Sequence, residues 1–395
     1  MPLPRLRMNL DFMPSPFREQ PGLLIRDTLK YSDATLIIPP GLVEALACYD
    51  GEQSELDLRQ VLVTLTGDLQ VSDLAEHLSS TLRDAGFFED DVYAEMKDAA
   101  ERAFAESPER IAVHADGLDA AQLTEFMGDV NSGDKIQPSA IAAPHASPGA
   151  AWKSYRAAYR TLTPKDRDRT FVILGTSHYG EPDRFGLTRK PFATPFGTST
   201  TATNLVDELE RLAPQAVKME DYCHAIEHSI EFQVMFLQHL FGGGVKVLPV
   251  LCGSYARSIY RGGMPEDNED VKRFIGALGD IAAREGDRLC WVLGVDMAHM
   301  GQRYSDRFEA IAGRGLMQQV EARDRNRMAS VVSGDSSGFW SQVQENQDDL
   351  KWCGSSPIYT FMKVKPQARG EVLSYEQWNI DDASVVSFAG IAFSE

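Results

Sequence analysis

The sequence contains few cysteines, and none of them belongs to a short paired motif. Cys48, Cys223, Cys252, Cys290 and Cys353 are spread over 395 positions without a CxxC spacing. Disulfide-stabilised domains and zinc ribbons need paired cysteines at short, regular spacings. The distribution therefore argues against both, and it favours a compartment in which thiols stay reduced.

Positive charge and long apolar runs are also scarce. The chain has 39 Lys and Arg residues against 58 Asp and Glu residues, which gives a formal charge of −19. Such a chain repels the phosphates of nucleic acids and anionic membranes, so neither is expected as a partner. No run reaches the roughly 18 apolar residues of a membrane span. The N-terminal segment lacks the apolar stretch of a signal peptide, and we expect a cytoplasmic protein.

A length of 395 residues predicts one large domain with a smaller one, because single cores stop growing at about 250–300 residues. Residues 1–30 are rich in proline and are expected to be irregular. A short strand and three short helices follow, which predicts a small, mostly helical domain over residues 1–105. This segment resembles winged-helix domains and the PqqD-type peptide-binding fold, notably in its DG … L … L … AGFF order. An accessory domain without that function is the alternative.

From residue 106 onward, apolar runs of strand length alternate with amphipathic runs of helix length. The predicted strands lie at residues 141–143, 170–174, 245–251, 289–295 and 384–393. The predicted helices lie at residues 151–159, 205–211, 229–240, 271–284, 307–322 and 338–347. This alternation predicts an α/β domain over residues 106–395, with helices on both faces of a largely parallel sheet.

Polar side chains that can bind metals or protons follow three of these strands. His145 and His178 come directly after two of them, and Asp296 and His299 follow a third. In open α/β sheets, ligands bind at the carboxyl ends of the strands, so we expect these side chains to converge there. Taken singly, each has a simpler explanation: a histidine at a strand end is usually a hydrogen-bonded loop residue, and Asp296 is suited to cap a helix.

Seven segments of the large domain carry a family resemblance. They read PHA at 144–146, ILGTSH at 173–178, TPFGT at 194–198, EHSIE at 227–231, VLPVLCG at 247–253, DMAH at 296–299 and CGSSPI at 353–358. In this order they resemble motifs of the MEMO family, over roughly residues 110–395.

The resemblance implies a fold related to that of class III extradiol ring-cleaving dioxygenases, with a metal ion bound by two histidines and one cysteine. By motif, these ligands are His145, His178 and Cys353. Asp296 and His299 are implied to line the same pocket, with His299 in the place of the catalytic acid–base of the dioxygenases.

The EHSIE segment leaves two interpretations open for Glu227 and His228. Acidic residues at the start of a helix suit the helix dipole, which is the simpler account. The resemblance instead suggests that both residues line the pocket and contact the bound cofactor.

The predicted cofactor is a mononuclear metal ion, with Fe(II) or Cu expected ahead of Zn. Two imidazoles and one thiolate leave coordination positions open for water, O2 or substrate. Thiolate and imidazole ligands suit these metals. The dioxygenases use a carboxylate where this chain has Cys353, so ring cleavage does not follow directly from the resemblance.

Three functions are compatible with this reading. The first is a metal-dependent redox enzyme, dioxygenase-like, that acts on a small molecule or a peptide with His299 as general acid–base. The second is a metal-binding adaptor without turnover, associated with radical SAM and AMMECR1-like proteins, as the family resemblance suggests. The third is a peptide-modifying enzyme whose small domain holds its substrate by strand addition.

Overall fold

The computed structural model describes residues 2–114, 119–127 and 138–395. The chain divides into two compact units, Met1–Glu106 and Ser107–Glu395. Each unit is described separately below. In the ranges described, no helix is both long enough and apolar enough to cross a bilayer.

The first unit combines a three-stranded antiparallel sheet with helices. Its strands are β1 (Leu10–Pro14), β2 (Leu23–Asp27) and β3 (Thr35–Ile38), hydrogen-bonded in that order. A 3-10 segment (Pro40–Cys48) leads to the helices α1 (Glu55–Thr66), α2 (Ser72–Asp84) and α3 (Asp91–Glu106).

The expectation that residues 1–30 are irregular is therefore wrong, because two of the three strands lie there. Proline argues against a strand interior, but Pro14 is the last residue of β1, and β1 is an edge strand of the small sheet, where proline is tolerated. The unit is also less helical than predicted. Its similarity to winged-helix or PqqD-type domains stays a prediction.

Local sequence signals explain where α1 begins and ends. The Ser54 side chain accepts a hydrogen bond from the Asp57 backbone, and the Asp57 carboxylate accepts one from the Ser54 backbone. This reciprocal capping satisfies backbone N–H groups that the first turn leaves without partners. Gly67, with φ of 73°, ends the helix in the left-handed conformation that glycine adopts without strain.

The second unit is built on a ten-stranded mixed sheet flanked by helices. Its first half contains β4 (Arg110–Ile111), α4 (Ala120–Met127), β5 (Ala140–Ala143), α5 (Pro148–Tyr159), β6 (Thr170–Thr176), β7 (Phe185–Leu187), β8 (Phe192–Thr194), β9 (Gly197–Thr198), β10 (Thr200–Thr201), α6 (Thr203–Leu212), β11 (Val217–Met219) and α7 (Cys223–Ile226).

Its second half contains α8 (Glu231–Phe241), β12 (Lys246–Cys252), α9 (Ala256–Arg261), α10 (Glu269–Glu285), β13 (Leu289–Gly294), β14 (His299–Gly301), α11 (Leu316–Ser333), α12 (Ser336–Gln344), α13 (Ser355–Val364), β15 (Arg369–Asp381) and β16 (Ser384–Ser394). The strands β4, β8 and β9 form a separate small sheet.

The main sheet is parallel at its centre and contains antiparallel pairs on both sides, β7 with β12 on one side and the pairs of β16 on the other. Eight of its ten strands run in the order β11-β7-β12-β6-β13-β5-β16-β14, and β10 pairs with β12. The strands β12, β6, β13 and β5 are mutually parallel. The long strand β16 pairs antiparallel with β5, β14 and β15. The α/β class and the helix-flanked sheet are as predicted, but the sheet is mixed rather than largely parallel.

Two apolar cores lie on the two faces of this sheet. Val172 and Leu174 of β6 pack into the core with α6, α10, α11, α12 and α13. Ile173, between them, packs into the core with α4, α5 and α8. Because successive strand residues point to opposite faces, a strand buried on both sides is apolar throughout. The strands at the centre of the sheet could therefore be predicted from their apolar runs.

The predicted helix at residues 307–322 is wrong in its first half, because α11 begins only at Leu316. Gly313 and Gly315 adopt φ values of 69° and 55° just before it. This left-handed backbone interrupts a right-handed helix.

Candidate metal centre

The residues predicted from the strand ends lie at one edge of the main sheet. Gly294, at the end of β13, is paired with Ala143 of β5 on one side and with Gly175 of β6 on the other. The three strands therefore end at the same level. His145 and Asp296 each lie two residues beyond this row of paired residues.

Three imidazoles come together at this edge. His145, His178 and His228 each offer a ring nitrogen, and these three atoms lie within 4.8 Å of one another. The ring centroids are 4.9 Å apart for His145 and His178, and 5.1 Å apart for His178 and His228. A group of this size and composition can hold one metal ion.

The thiol of Cys353, in the turn before α13, reaches the same place. Its Sγ lies 3.3 Å from Nε2 of His145. Burial raises the pKa of the Cys353 thiol, but the charges of His145 and His299 and hydrogen bonds from the imidazoles outweigh burial and lower it to about 5. A lowered pKa favours the thiolate, which is the form of cysteine that binds metals.

Hydrogen bonds at Nδ1 fix the orientation of two of these imidazoles. Nδ1 of His145 lies 2.9 Å from the carbonyl oxygen of Gly294, and Nδ1 of His178 lies 2.9 Å from Oε1 of Glu227. A carbonyl or an ionised carboxylate can only accept, so Nδ1 donates its proton in both contacts. Nε2 of each ring is then the nitrogen left to bind a metal, which is the usual arrangement of metal-ligating histidines.

Glu227 organises one side of the centre. Besides Nδ1 of His178, its buried carboxylate accepts hydrogen bonds from the backbone N–H groups of His178 and His228, at 2.9 Å and 3.0 Å. Burial raises the pKa of Glu227, but the charge and hydrogen bonds of His178 outweigh this effect and lower the pKa below its usual range. Glu227 thus holds His178 through Nδ1 and the backbone, and His228 through the backbone.

Asp296 supports the opposite side. Its Oδ1 accepts the backbone N–H of His145 at 2.9 Å, and its Oδ2 lies 3.6 Å from Nε2 of the same residue. Burial lowers the pKa of His145, but the charges of Asp296 and Cys353 outweigh this and raise it to about 9. Asp296 caps no helix, because the segment after it enters β14.

His299 is the first residue of β14 and lies beside Cys353. Its Nδ1 is 2.9 Å from the carbonyl oxygen of Met297 and 3.1 Å from that of Lys351. Both are acceptors, so Nε2 is again the free nitrogen. The ring of Tyr304 packs edge-on against His299, with centroids 5.0 Å apart.

The structure therefore places the seven residues singled out in the sequence around one point at the sheet edge. They are His145, His178, His228, Cys353, Glu227, Asp296 and His299. The first six contact one another through hydrogen bonds or ring packing, and His299 is linked to them through its electrostatic effect on Cys353.

Two further residues at the site were not singled out in the sequence. His114, which follows β4, packs its ring against His228 with centroids 5.3 Å apart. Asp324, on α11, is fully buried and accepts hydrogen bonds from Trp352, Tyr375 and Ser387 at 2.6–2.8 Å.

Asp324 links two of the segments that carry predicted site residues, the one that contains Cys353 and the one that leads to His299. Trp352 directly precedes Cys353 in the chain. The Ser387 hydroxyl, which donates to Asp324, accepts the backbone N–H of Ala298 at 2.8 Å. Asp324 therefore fixes the Cys353 turn and the segment before His299 relative to each other. No local pattern in the sequence marks it, because a single acidic residue on a charged helix is usually solvated.

Fold and site together define a mixed α/β protein with a histidine- and cysteine-lined candidate metal centre at the end of its central strands. A family model described as Memo-like protein matches residues 114–392. The chain belongs to this Memo-like family, as the motifs had suggested. The matched region contains the predicted site residues and excludes the first unit.

Curated relatives agree with this assignment. A MEMO1 family protein of Aquifex aeolicus is 23% identical over 278 residues, which cover 69% of this chain and 68% of the relative. The MEMO1 family protein TK1477 of Thermococcus kodakarensis is 27% identical over 287 residues, or 69% of this chain and 92% of the relative. A MEMO1 family protein of Methanococcoides burtonii is 30% identical over 228 residues, or 56% and 75%. None of these three names states an activity.

Proposed function

We propose that the chain binds one metal ion through His145, His178 and Cys353 and uses it in a redox reaction on a small molecule or a peptide. The observation that carries the proposal is the orientation of the two imidazoles. Both are held through Nδ1, and Nε2 of His145 points at a thiolate 3.3 Å away. In the metal-free protein Nε2 of His145 and Sγ of Cys353 share a proton, and a metal ion bound there would take the place of that proton.

The donor set fits such an ion. Two neutral imidazoles and one thiolate are ligands that Fe(II), Cu and Zn accept, and a three-ligand set leaves a position open. A bound iron or copper ion would supply one-electron or O2 chemistry. We favour Fe(II) or Cu on this basis, and the relation to extradiol dioxygenases remains part of the proposal.

The role proposed for the chain's other residues follows from their hydrogen bonds. His299 has its Nδ1 proton held by two carbonyl oxygens, so its Nε2 is free to accept a proton from a substrate or return one. Asp296 holds the backbone of His145 and lies near its ring. We therefore assign proton transfer to His299. We assign to Asp296 the orientation of the metal ligand His145.

His228 favours a second candidate function, metal binding without turnover. Its ring lies as close to His178 as the ring of His145 does. If His228 bound the metal together with His145, His178 and Cys353, the set would contain four protein ligands. Closed four-ligand sites are typical of structural rather than catalytic metals. The number of protein ligands thus separates the two functions.

Metal analysis of anaerobically purified protein tests the site. We expect close to one metal ion per chain in the wild type and a large loss in Cys353→Ser and His178→Ala. Cys48→Ser, in the first unit, is the matched thiol control and should retain the metal. If Cys353→Ser bound metal as well as the wild type, the ligand assignment would be wrong.

Spectroscopy and oxygen consumption then separate the functions. Loading with Co(II) or Cu(II) should give a thiolate-to-metal charge-transfer band that disappears in Cys353→Ser and persists in His228→Gln. Oxygen uptake that requires metal and is lost in His299→Ala, with the metal retained, supports the enzyme. Loss of metal in His228→Gln, with no oxygen uptake in the wild type, supports the closed site.

A further inference from the structure

We propose that His114 forms the ligand-recognition side of the candidate metal centre and accepts a hydrogen bond from an O–H or N–H group of the molecule bound there. The inference rests on the metal-binding function proposed above and deepens it. It adds the chemical class of the ligand, a small molecule that carries a hydrogen-bond donor close to the atom that binds the metal.

His114 is held in place by α8. Its backbone N–H donates to Oε1 of Glu231 at 2.7 Å, and the backbone N–H of Val113 donates to Oε2 at 3.0 Å. The buried guanidinium of Arg110 pairs with the same carboxylate and also donates to the backbone carbonyl of His224. The chain leading to His114 is therefore fixed to the helix that follows His228.

The same carboxylate sets the ring nitrogens of His114. Nδ1 lies 3.3 Å from Oε2 of Glu231. Burial raises the pKa of Glu231, but the hydrogen bond from His114 and the charge of Arg110 outweigh it and lower the pKa to about 2. An ionised carboxylate only accepts, so Nδ1 carries a proton in this contact, and in that tautomer Nε2 is the nitrogen that can accept a hydrogen bond.

The position of His114 suits recognition rather than metal binding. Its ring packs against His228, which lies in turn 5.2 Å from His145 and 5.1 Å from His178 between ring centroids. Its side chain is 29% exposed. Among the described residues, the group whose ligand atoms lie within 4.8 Å of one another contains the other three histidines and not His114.

An acceptor beside the metal centre distinguishes ligands by their donors. A ligand whose O–H or N–H group reaches Nε2 of His114 gains one hydrogen bond, whereas its methylated analogue leaves this nitrogen without a partner. The carbonyl and carboxylate groups that hold the other imidazoles already accept hydrogen bonds from the Nδ1 atoms of those rings. His114 is thus suited to select donor-bearing ligands over methylated ones.

Two matched pairs of probes test this. Co(II)-loaded protein is titrated with imidazole and 1-methylimidazole, and with hydroxylamine and O-methylhydroxylamine, and binding is followed by the Co(II) absorption bands. In each pair only the first molecule carries the donor away from the coordinating atom. We expect the donor-bearing member of at least one pair to bind roughly two- to tenfold more tightly to the wild type than to His114→Ala. Its methylated analogue should bind equally to both proteins.

The controls separate this inference from the proposed function. His239→Ala, which removes the histidine within α8, should leave both titrations unchanged. His114→Phe keeps an aromatic ring against Phe232 and His228 but lacks the acceptor, so it should behave like His114→Ala. If the wild type binds no Co(II), the proposed function fails.

The wild type and His114→Ala could bind Co(II) equally and show the same preference for the donor-bearing probe over its methylated analogue in both pairs. In that case only the role proposed for His114 fails. Loss of Co(II) from His114→Ala would also overturn it, because His114 would then be a ligand.

Discussion

The two sides of the candidate metal centre hold their imidazoles by different means. On one side, His145 and His299 donate from Nδ1 to backbone carbonyl oxygens of Gly294, Met297 and Lys351. On the other side, His178 and His114 donate to the buried carboxylates Glu227 and Glu231. We call these the carbonyl side and the carboxylate side. The first depends on the course of the main chain, and the second depends on side chains.

This difference has consequences for stability and for access. A backbone carbonyl is neutral, and no substitution removes it. A buried carboxylate is charged and needs partners of its own, because burying an unpaired charge is costly. The side chain of His145 is 2% exposed and that of His178 is 26% exposed. His178 is therefore more open to a ligand than His145, and the group that holds its ring is more sensitive to substitution.

The largest expected effect comes from breaking the ion pair under the carboxylate side. Arg110 and Glu231 have side chains that are 1% and 0% exposed. Arg110→Met leaves the Glu231 charge with hydrogen bonds but no paired guanidinium. We expect the free energy of unfolding to fall by about 3–5 kcal/mol, the usual cost of removing one partner of a buried pair. Urea denaturation of the metal-free protein measures it.

An exposed ion pair is the matched control for this loss. Arg323 pairs with Asp349 at side-chain exposures of 34% and 41%. Arg323→Met should cost less than about 1 kcal/mol, because solvent screens exposed pairs. If Arg110→Met cost no more than Arg323→Met, the carboxylate side would not depend on a desolvated charge pair.

The next effect is a pH dependence that originates in Glu231. Burial raises the pKa of Glu231, but the hydrogen bond from His114 and the charge of Arg110 lower it to about 2, below the pKa of a solvent-exposed glutamate. A carboxylate with a lowered pKa contributes stability that is complete above its unfolded pKa and is lost as the pH falls through the folded pKa. At about 1.4 kcal/mol per unit, this contribution is roughly 3 kcal/mol between pH 5 and pH 2.

The experiment compares the wild type with Glu231→Gln. We expect the wild type to lose stability more steeply than the variant over this acid range, because Gln does not titrate. Unfolding free energies at pH 5, 4 and 3 give the two slopes. Parallel slopes would show that Glu231 is not the ionised partner of Arg110 in the folded protein.

The fold was predictable from sequence where strands are buried on both faces. The strands of the parallel centre are apolar throughout, so their existence was clear from the chain alone. β15 was missed because its residues are half-buried and mixed in character. β1 and β2 were missed because they are short, lie near prolines and show no regular alternation of buried and exposed residues. In both places the pairing partner, rather than the local sequence, determines the strand.

The site was predictable for a related reason. His145, His178 and Asp296 follow apolar strands, and parallel strands end at one edge, so their proximity follows from topology. His114 follows a strand of only two residues. Its position depends on the contact between Arg110 and Glu231, which are 121 residues apart in the sequence. Such a contact has no local signature, and the same holds for Asp324.

The smallest of the expected effects compares the two sides directly. Glu227→Gln replaces the carboxylate that holds Nδ1 of His178. Asp296→Asn alters the support of His145 but leaves its Nδ1 on the carbonyl of Gly294. Removing the group that orients a ligating histidine typically lowers metal affinity about 10–100-fold. We therefore expect a loss of that size in Glu227→Gln and a smaller one in Asp296→Asn, measured by competition with a chelator. Equal losses, or a greater loss in Asp296→Asn, would mean that the carbonyl side depends on its carboxylate as much as the carboxylate side does.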